Sequence, residues 1–230
     1  MIKALIFDLD GTVADTIHAV LEAMNRMLSA RGCEPLTLER FLDFFSGSAA
    51  EYTRHAMPQG TDPKVLKQAT AEFDRCYEDT YLHTVGFPGI PEMLERLKKD
   101  FRICMLSNKQ EAFVHALNDQ LYRPGLFEIA HGIRPGIPAK PYPEAALTMA
   151  RELGLKPEEC AFIGDSEIDL YTARNSGMVP VLVVWGYRTE EFLRNLGAPG
   201  LLHTPDELVK YLAENRENLK PQPVNGLQGV

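Results

Sequence analysis

Three clusters of polar residues in this chain could act together on one phosphate group. The first is Asp8-Leu9-Asp10-Gly11-Thr12, the second Ser107-Asn108, and the third Gly164-Asp165-Ser166 with Asp169 close behind. Each directly follows a short apolar run of the kind that forms a buried strand. In a doubly wound sheet, ligands bind outside the carboxyl ends of the strands, so three such ends can share one site. Carboxylates gathered there repel one another, and burial disfavours their charged forms. A divalent cation offsets both costs. Oxygen ligands, water and a substrate phosphate are the surroundings that Mg²⁺ prefers. The formal net charge of −8 means that any phosphate site must be made locally positive by a metal, a lysine or helix N-termini.

The elements that position these clusters follow from the hydrophobic pattern. Residues 4–9 form an apolar run without alternation, the signature of a strand buried on both faces. Residues 15–31 place Ile17, Val20, Leu21, Met24, Met27 and Leu28 at helical spacing, and Gly32 ends them. Further helices are expected over 37–45, over 48–57 behind a Ser48/Glu51 capping box, and from Asp62-Pro63 onward. No strand signal interrupts this stretch before about residue 83. Beyond the turn at Gly86-Phe-Pro-Gly89 the pattern alternates. Strands are expected at 103–106, 161–164 and 180–185, and helices at 91–99, after a capping box of Asn108 with Glu111, at 143–153, before Gly177 and from Thr204-Pro205. Alternation of this kind implies an α/β fold with a doubly wound, Rossmann-like parallel sheet. The expected organisation is a core of residues 1–15 and 84–215, an all-helical cap of residues 16–83 inserted after the first strand, and a polar, flexible tail over 216–230.

Composition bounds the class. At 230 residues, 45% hydrophobic and 24% charged, the chain can bury a sizeable core. Its acidity argues against a nucleic-acid partner, because phosphate backbones attract basic surfaces. Cys33, Cys76, Cys104 and Cys160 show no metal or redox spacing and read as reduced thiols. The first residues do not form a signal peptide, and no run of 18 apolar residues exists, so a cytoplasmic protein with no membrane partner is expected.

The motifs Asp8-x-Asp10-Gly11-Thr12, Ser107-Asn108, Lys140-Pro141-x-Pro143 and Gly164-Asp165-Ser166-x-x-Asp169, in that order, resemble the haloacid dehalogenase superfamily in its phosphatase branch. Within it the chain is similar to the phosphoglycolate phosphatase-like hydrolases with a helical cap. The segment Val184-Trp-Gly-Tyr-Arg188, followed by His203-Thr-Pro-Asp-Glu-Leu208, also resembles that subgroup. The resemblance implies a Mg²⁺-dependent phosphatase acting on a small phosphomonoester through an aspartyl-phosphate intermediate. By position, it makes Asp8 the nucleophile and Asp10 the general acid and then base. Lys140 would neutralise charge on Asp8 and the phosphoryl group. Thr12 and Ser107 would hold phosphate oxygens, as would backbone N–H groups near Leu9 and Asn108. Asp8, Asp165 and the Asp10 backbone carbonyl would bind Mg²⁺, and Asp169 would orient Lys140 or a metal-bound water. Gly47 and Ser48 lie where related caps reach toward substrate.

Structural readings compete at several of these positions. Asp-Gly is itself a turn signal, Ser107 and Asn108 with Glu111 can cap a helix, and Ser48 and Asp15 can do the same. Other functions compete as well: a pyrophosphatase or a sugar phosphomutase of the same superfamily, or a catalytically silent phosphate-binding protein on this fold. The mutases carry a cap histidine where this chain has Val20, and the intact set Asp8, Asp10, Lys140 and Asp165 speaks against a silent protein.

Overall fold

A computed structural model describes residues 1–222, 224 and 226–229. The chain divides into two compact units, unit 1 (Met1–Ala14 and Gly86–Val230) and unit 2 (Asp15–Val85). Strand β1 (Ala4–Phe7) opens unit 1, and the two-residue strand β2 (Ala14–Asp15) leads out of it. Unit 2 is helical: α1 (Ile17–Ala30), α2 (Leu38–Leu42), α3 (Ala49–Ala56) and α4 (Pro63–Thr80). The chain returns through β3 (Val85–Gly86) and alternates: α5 (Ile90–Leu97), β4 (Arg102–Gln110), α6 (Glu111–Leu121), β5 (Ile129–Ile133), α7 (Glu144–Glu152), β6 (Cys160–Gly164) and α8 (Glu167–Ser176). It closes with β7 (Val179–Val183), α9 (Glu190–Asn195), β8 (Leu201–Leu202) and α10 (Pro205–Asn215).

Unit 1 is built on a six-stranded sheet in the order β5-β4-β1-β6-β7-β8. The pairings are parallel, and β1 lies between β4 and β6. This is the α/β, Rossmann-like arrangement that the strand–helix alternation implies. Every residue of β1, β6 and β7 is buried, as strands covered by helices on both faces must be. The register pairs Phe7 with Met105 on one side and with Ile163 on the other. Asp8 and Asp165, just past the ends of β1 and β6, and Ser107, in the carboxyl half of β4, therefore lie within two residues of the same level on three adjacent strands. One cluster of the core packs Ile6, Leu106, Phe162, Ala146, Met149 and Met178 together beneath that edge.

Unit 2 is held by its own apolar faces. α1 buries Val20, Met24, Met27 and Leu28, and α4 buries Ala69, Phe73 and Tyr77. An aromatic chain runs through it from Phe41 to Tyr52 (ring centroids 6.0 Å apart), Phe73 (5.4 Å) and Tyr77 (5.8 Å). Edge-on contacts such as Phe41–Tyr52 and Tyr52–Phe73 are favoured arrangements of ring quadrupoles.

Two local features depart from the sequence reading. β4 runs on to Gln110, so α6 begins at Glu111 and the expected Asn108/Glu111 capping box does not form. The register shifts between Leu106 and Gln110, and Gly132 on β5 makes room for it, because a Cβ there would strike the Lys109 carbonyl and the Glu111 backbone. β5, α9 and β8 had no sequence expectation. The stretch expected as a flexible tail carries hydrogen bonds: Arg174 Nε donates to Gln222 Oε1 (2.8 Å), and Gln228 N donates to Asn175 Oδ1 (2.9 Å). Its residues 223, 225 and 230 lie outside the described residues. Among the described residues, no helix is long and apolar enough to cross a membrane.

The loop after β1 is tied down by Tyr122, whose buried hydroxyl donates to the Val13 carbonyl at 2.6 Å. Tyr122→Phe removes the donor and leaves a buried carbonyl unsatisfied, a loss of about 1–3 kcal/mol. Urea unfolding at pH 7 should show it as a lower midpoint with an unchanged slope.

Candidate active site

Asp8 ends β1, and the following turn is wound tightly around one carbonyl. Leu9 O accepts from Thr12 N (3.3 Å), Val13 N (3.1 Å) and Ala14 N (2.9 Å). Gly11 supplies the positive φ of +78° that the turn requires. A Cβ at Gly11 would also collide with the Asp165 carboxylate, so the turn packs directly against β6's end. Asp8 is buried, and its Oδ1 accepts from Leu9 N (2.7 Å) and from Lys140 Nζ (2.8 Å). Both bonds fall on Oδ1 and neither on Oδ2.

Lys140 reaches Asp8 from the loop before α7. Its Nζ also contacts Asp169 Oδ1 at 2.8 Å and lies 5.3 Å above the Phe162 ring. Asn108 fixes the backbone of this lysine at two points: Asn108 Nδ2 donates to Lys140 O (2.7 Å), and Lys140 N donates to Asn108 Oδ1 (2.8 Å). The Asn108 side-chain amide is thus engaged on both sides in placing Lys140, while the expectation for the phosphate concerns the backbone N–H groups near Asn108. Asp169 is held at the start of α8, where its Oδ2 accepts from Ser166 Oγ (2.6 Å) and Ser166 N (3.2 Å) in a capping box. Gly164 is required beneath it, because a Cβ there would meet the Asp169 side chain.

Asp165 is clasped from two directions. Thr12 Oγ1 donates to its Oδ1 at 3.0 Å, and Tyr187 N donates to its Oδ2 at 2.8 Å. Thr12, also expected at the phosphate, spends its hydroxyl hydrogen on Asp165. Ser107 is buried within β4, and its Oγ accepts from Lys109 N at 3.2 Å. Lys109 itself was missed by the sequence reading: its buried ammonium lies 3.1 Å from Asp10 Oδ1. Its position directly after Ser107-Asn108 was the available signal. Arg188 pairs with Glu167 through two bonds of 2.8 and 3.0 Å. Unit 2 contains Gly47 and Ser48, which form the turn into α3. Gly47 has φ +75°, Ser48 N donates to Glu51 Oε2 at 2.5 Å, and a side chain at Gly47 would strike that same carboxylate.

Electrostatics single out the carboxylates. Burial, reinforced by Asp169, pushes the Asp165 carboxyl up to about 7. Burial and Asp169 likewise raise Asp8, against the pull of Lys140. Burial opposes the charge on Lys140, but Asp169 and Asp8 override it and hold the ammonium above the ordinary lysine range. Carboxylate oxygens of Asp8, Asp165 and Asp169 all lie within 4.8 Å of one another. Such a set resists full ionisation unless a further cation joins it. The donors are all hard oxygens, which suits Mg²⁺ and not a softer metal. These three buried carboxylates could hold such an ion; Asp169 also bonds Lys140 and Ser166, and Asp165 bonds Thr12 and Tyr187.

Comparison with known proteins accords with this geometry. Residues 5–183 match the model of the haloacid dehalogenase-like hydrolase family. The chain belongs to the haloacid dehalogenase-like hydrolases. Within the family it is a phosphoric monoester hydrolase. It is 31% identical over 191 residues to the phosphoglycolate phosphatase of Pseudomonas putida, covering 80% of this chain and 70% of the relative. It is 28% identical over 213 residues to that of Aquifex aeolicus, covering 91% and 96%. A crystal structure of a Lactobacillus delbrueckii subsp. bulgaricus protein matches with a TM-score of 0.86 at 30% identity, covering 91% of this chain and 98% of that one.

Proposed function

We propose that this hydrolase is a Mg²⁺-dependent phosphatase that cleaves a small phosphomonoester of the phosphoglycolate type through a phosphoryl group carried on Asp8. The observation that carries the reading is the Lys140 ammonium, 2.8 Å from both Asp8 and Asp169 and buried with them. It holds the Asp8 carboxylate in one orientation with Oδ2 uncommitted to either bond, and it faces the charge that would build up on a bound phosphoryl group. The substrate class rests on the phosphoglycolate phosphatases that the chain resembles.

On this reading an Asp8 oxygen attacks phosphorus and the bond to the ester oxygen breaks. Asp10 gives its proton to that leaving oxygen. Asp10 then takes a proton from water as the water attacks phosphorus, and the bond to Asp8 breaks to release inorganic phosphate. Lys109, 3.1 Å from Asp10, keeps that carboxyl in place for both steps. Mg²⁺, held by Asp8, Asp165 and the Asp10 carbonyl, would supply positive charge to the phosphoryl oxygens. Lys140 neutralises charge on the other side, and Asn108 and Asp169 keep it there.

Two outcomes follow. Phosphate release from 2-phosphoglycolate should require Mg²⁺, vanish with EDTA and return on adding excess Mg²⁺. It should exceed release from pyrophosphate, glucose 1-phosphate and nucleoside monophosphates; full turnover in EDTA, or a preference for pyrophosphate, would contradict the reading. Asp10→Asn should keep its backbone carbonyl and its Mg²⁺ binding but lose proton transfer, a drop of roughly 10²–10⁴-fold in kcat. An Asp10→Asn protein with near-normal kcat would remove Asp10 from the proton path.

A further inference from the structure

The segment Val184-Trp-Gly-Tyr-Arg188 follows β7 and takes no part in the chemistry above, yet three of its residues reach into the site. Trp185 Nε1 donates to the Thr12 carbonyl at 2.9 Å. Tyr187 N donates to Asp165 Oδ2 at 2.8 Å. Between them, Gly186 lies so close that a Cβ would strike Asp165 Oδ2, Asp165 Cβ and the Gly11 carbonyl. Thr12 completes the ring, with its hydroxyl on Asp165 Oδ1 at 3.0 Å. The segment therefore holds two strand ends at once: the Gly11–Thr12 turn after β1 and the carboxylate after β6.

We propose that Trp185, Gly186 and the Tyr187 amide form a clamp that fixes Asp165 relative to the Asp10–Thr12 turn, and so sets the affinity of the site for a divalent cation. The inference rests on the reading that Asp165 and the Asp10 carbonyl hold Mg²⁺. The physical case is one of preorganisation. Asp165 is buried and stands beside Asp169, so its orientation cannot be left to solvent. A Tyr187 N–H on one oxygen and a Thr12 hydroxyl on the other fix the plane of the carboxylate. The indole N–H fixes the turn that carries Asp10. None of these groups is a proposed ligand. Partners that orient a metal ligand typically change metal affinity by 10–100-fold when lost. Trp185, Gly186 and Tyr187 are thus positioning residues, and the glycine is needed for space, because any side chain there displaces the carboxylate.

The test is Mg²⁺ binding to the whole protein without substrate, measured by calorimetry and by the rise of the melting temperature with Mg²⁺. Trp185→Phe keeps an aromatic ring but removes the N–H donor. It should raise the Mg²⁺ dissociation constant about tenfold, with kcat at saturating Mg²⁺ largely retained. Gly186→Ala should raise it by about 100-fold by forcing Asp165 aside. In both variants the activity lost at low Mg²⁺ should return at high Mg²⁺. Unchanged dissociation constants in both folded variants would overturn the clamp while leaving the phosphatase reading intact. Equal loss of activity at every Mg²⁺ concentration would also overturn it, as the mark of general structural damage. A wild-type protein that binds Mg²⁺ yet releases no phosphate would instead overturn the phosphatase reading alone.

Discussion

Asp8→Asn is expected to abolish turnover, with phosphate release falling by about 10⁴-fold or more, the scale of losing a covalent nucleophile. An amide cannot take up the phosphoryl group, and no neighbouring carboxylate is placed to substitute. Asp169 is tied to Lys140 and Ser166, Asp165 to Thr12 and Tyr187, and Asp10 faces Lys109. The fold should survive the change. The amide oxygen can still accept from Leu9 N, and burial already works against the charge on Asp8. Circular dichroism and a melting temperature no lower than that of the wild type, in EDTA, would show that activity was lost without unfolding. A variant that keeps more than a small fraction of wild-type kcat would show that the phosphoryl group never resides on Asp8.

Lys140→Met should be nearly as damaging and should differ in one respect: it destabilises the protein. Activity should fall by roughly 10²–10³-fold through loss of charge at the phosphoryl group. Stability should fall by up to about 3–5 kcal/mol, because Asp8 and Asp169 are left buried without their shared cation. The sign of the pH dependence follows. Losing the ammonium removes the charge that lowers the Asp8 carboxyl against burial. The folded variant then binds more protons than the unfolded chain at every pH between the ordinary carboxylate range and the raised native value. Its stability should therefore fall as pH rises through that window and recover as pH is lowered. Urea midpoints measured from pH 5 to 8 would check this. A deficit that grows toward low pH would mean that Asp8 and Asp169 are not the groups left unpaired.

The fold could be read from the sequence wherever a pattern was local and long. The apolar runs that became β1, β4, β6 and β7, and the helical spacing that became α1 and α4, each declare themselves within one element. β5 did not, because His131 and Gly132 interrupt its apolar residues and it pairs on one side only, at the sheet edge. The site residues were legible as types at strand ends, but their partners were not. Asn108 looks like a helix cap, since Glu111 stands three residues on. In the fold its amide is taken by the backbone of Lys140, 32 residues away, and the strand simply continues. Thr12 meets Asp165 across 153 positions, and Trp185 meets Thr12 across 173. No periodicity encodes such meetings. They depend on the order of strands in the sheet and on the register that levels Asp8, Ser107 and Asp165.

The central claim is that phosphate leaves its substrate by way of Asp8. The most direct measurement is to quench the enzyme during turnover of 2-phosphoglycolate with Mg²⁺, reduce it with borohydride, and sequence the peptides by mass spectrometry. An aspartyl phosphate at position 8 is reduced to homoserine, and the account predicts that conversion at Asp8, dependent on both substrate and Mg²⁺ and absent from Asp10, Asp165 and Asp169. Steady turnover with Asp8 unmodified, or with the label on another aspartate, would contradict it.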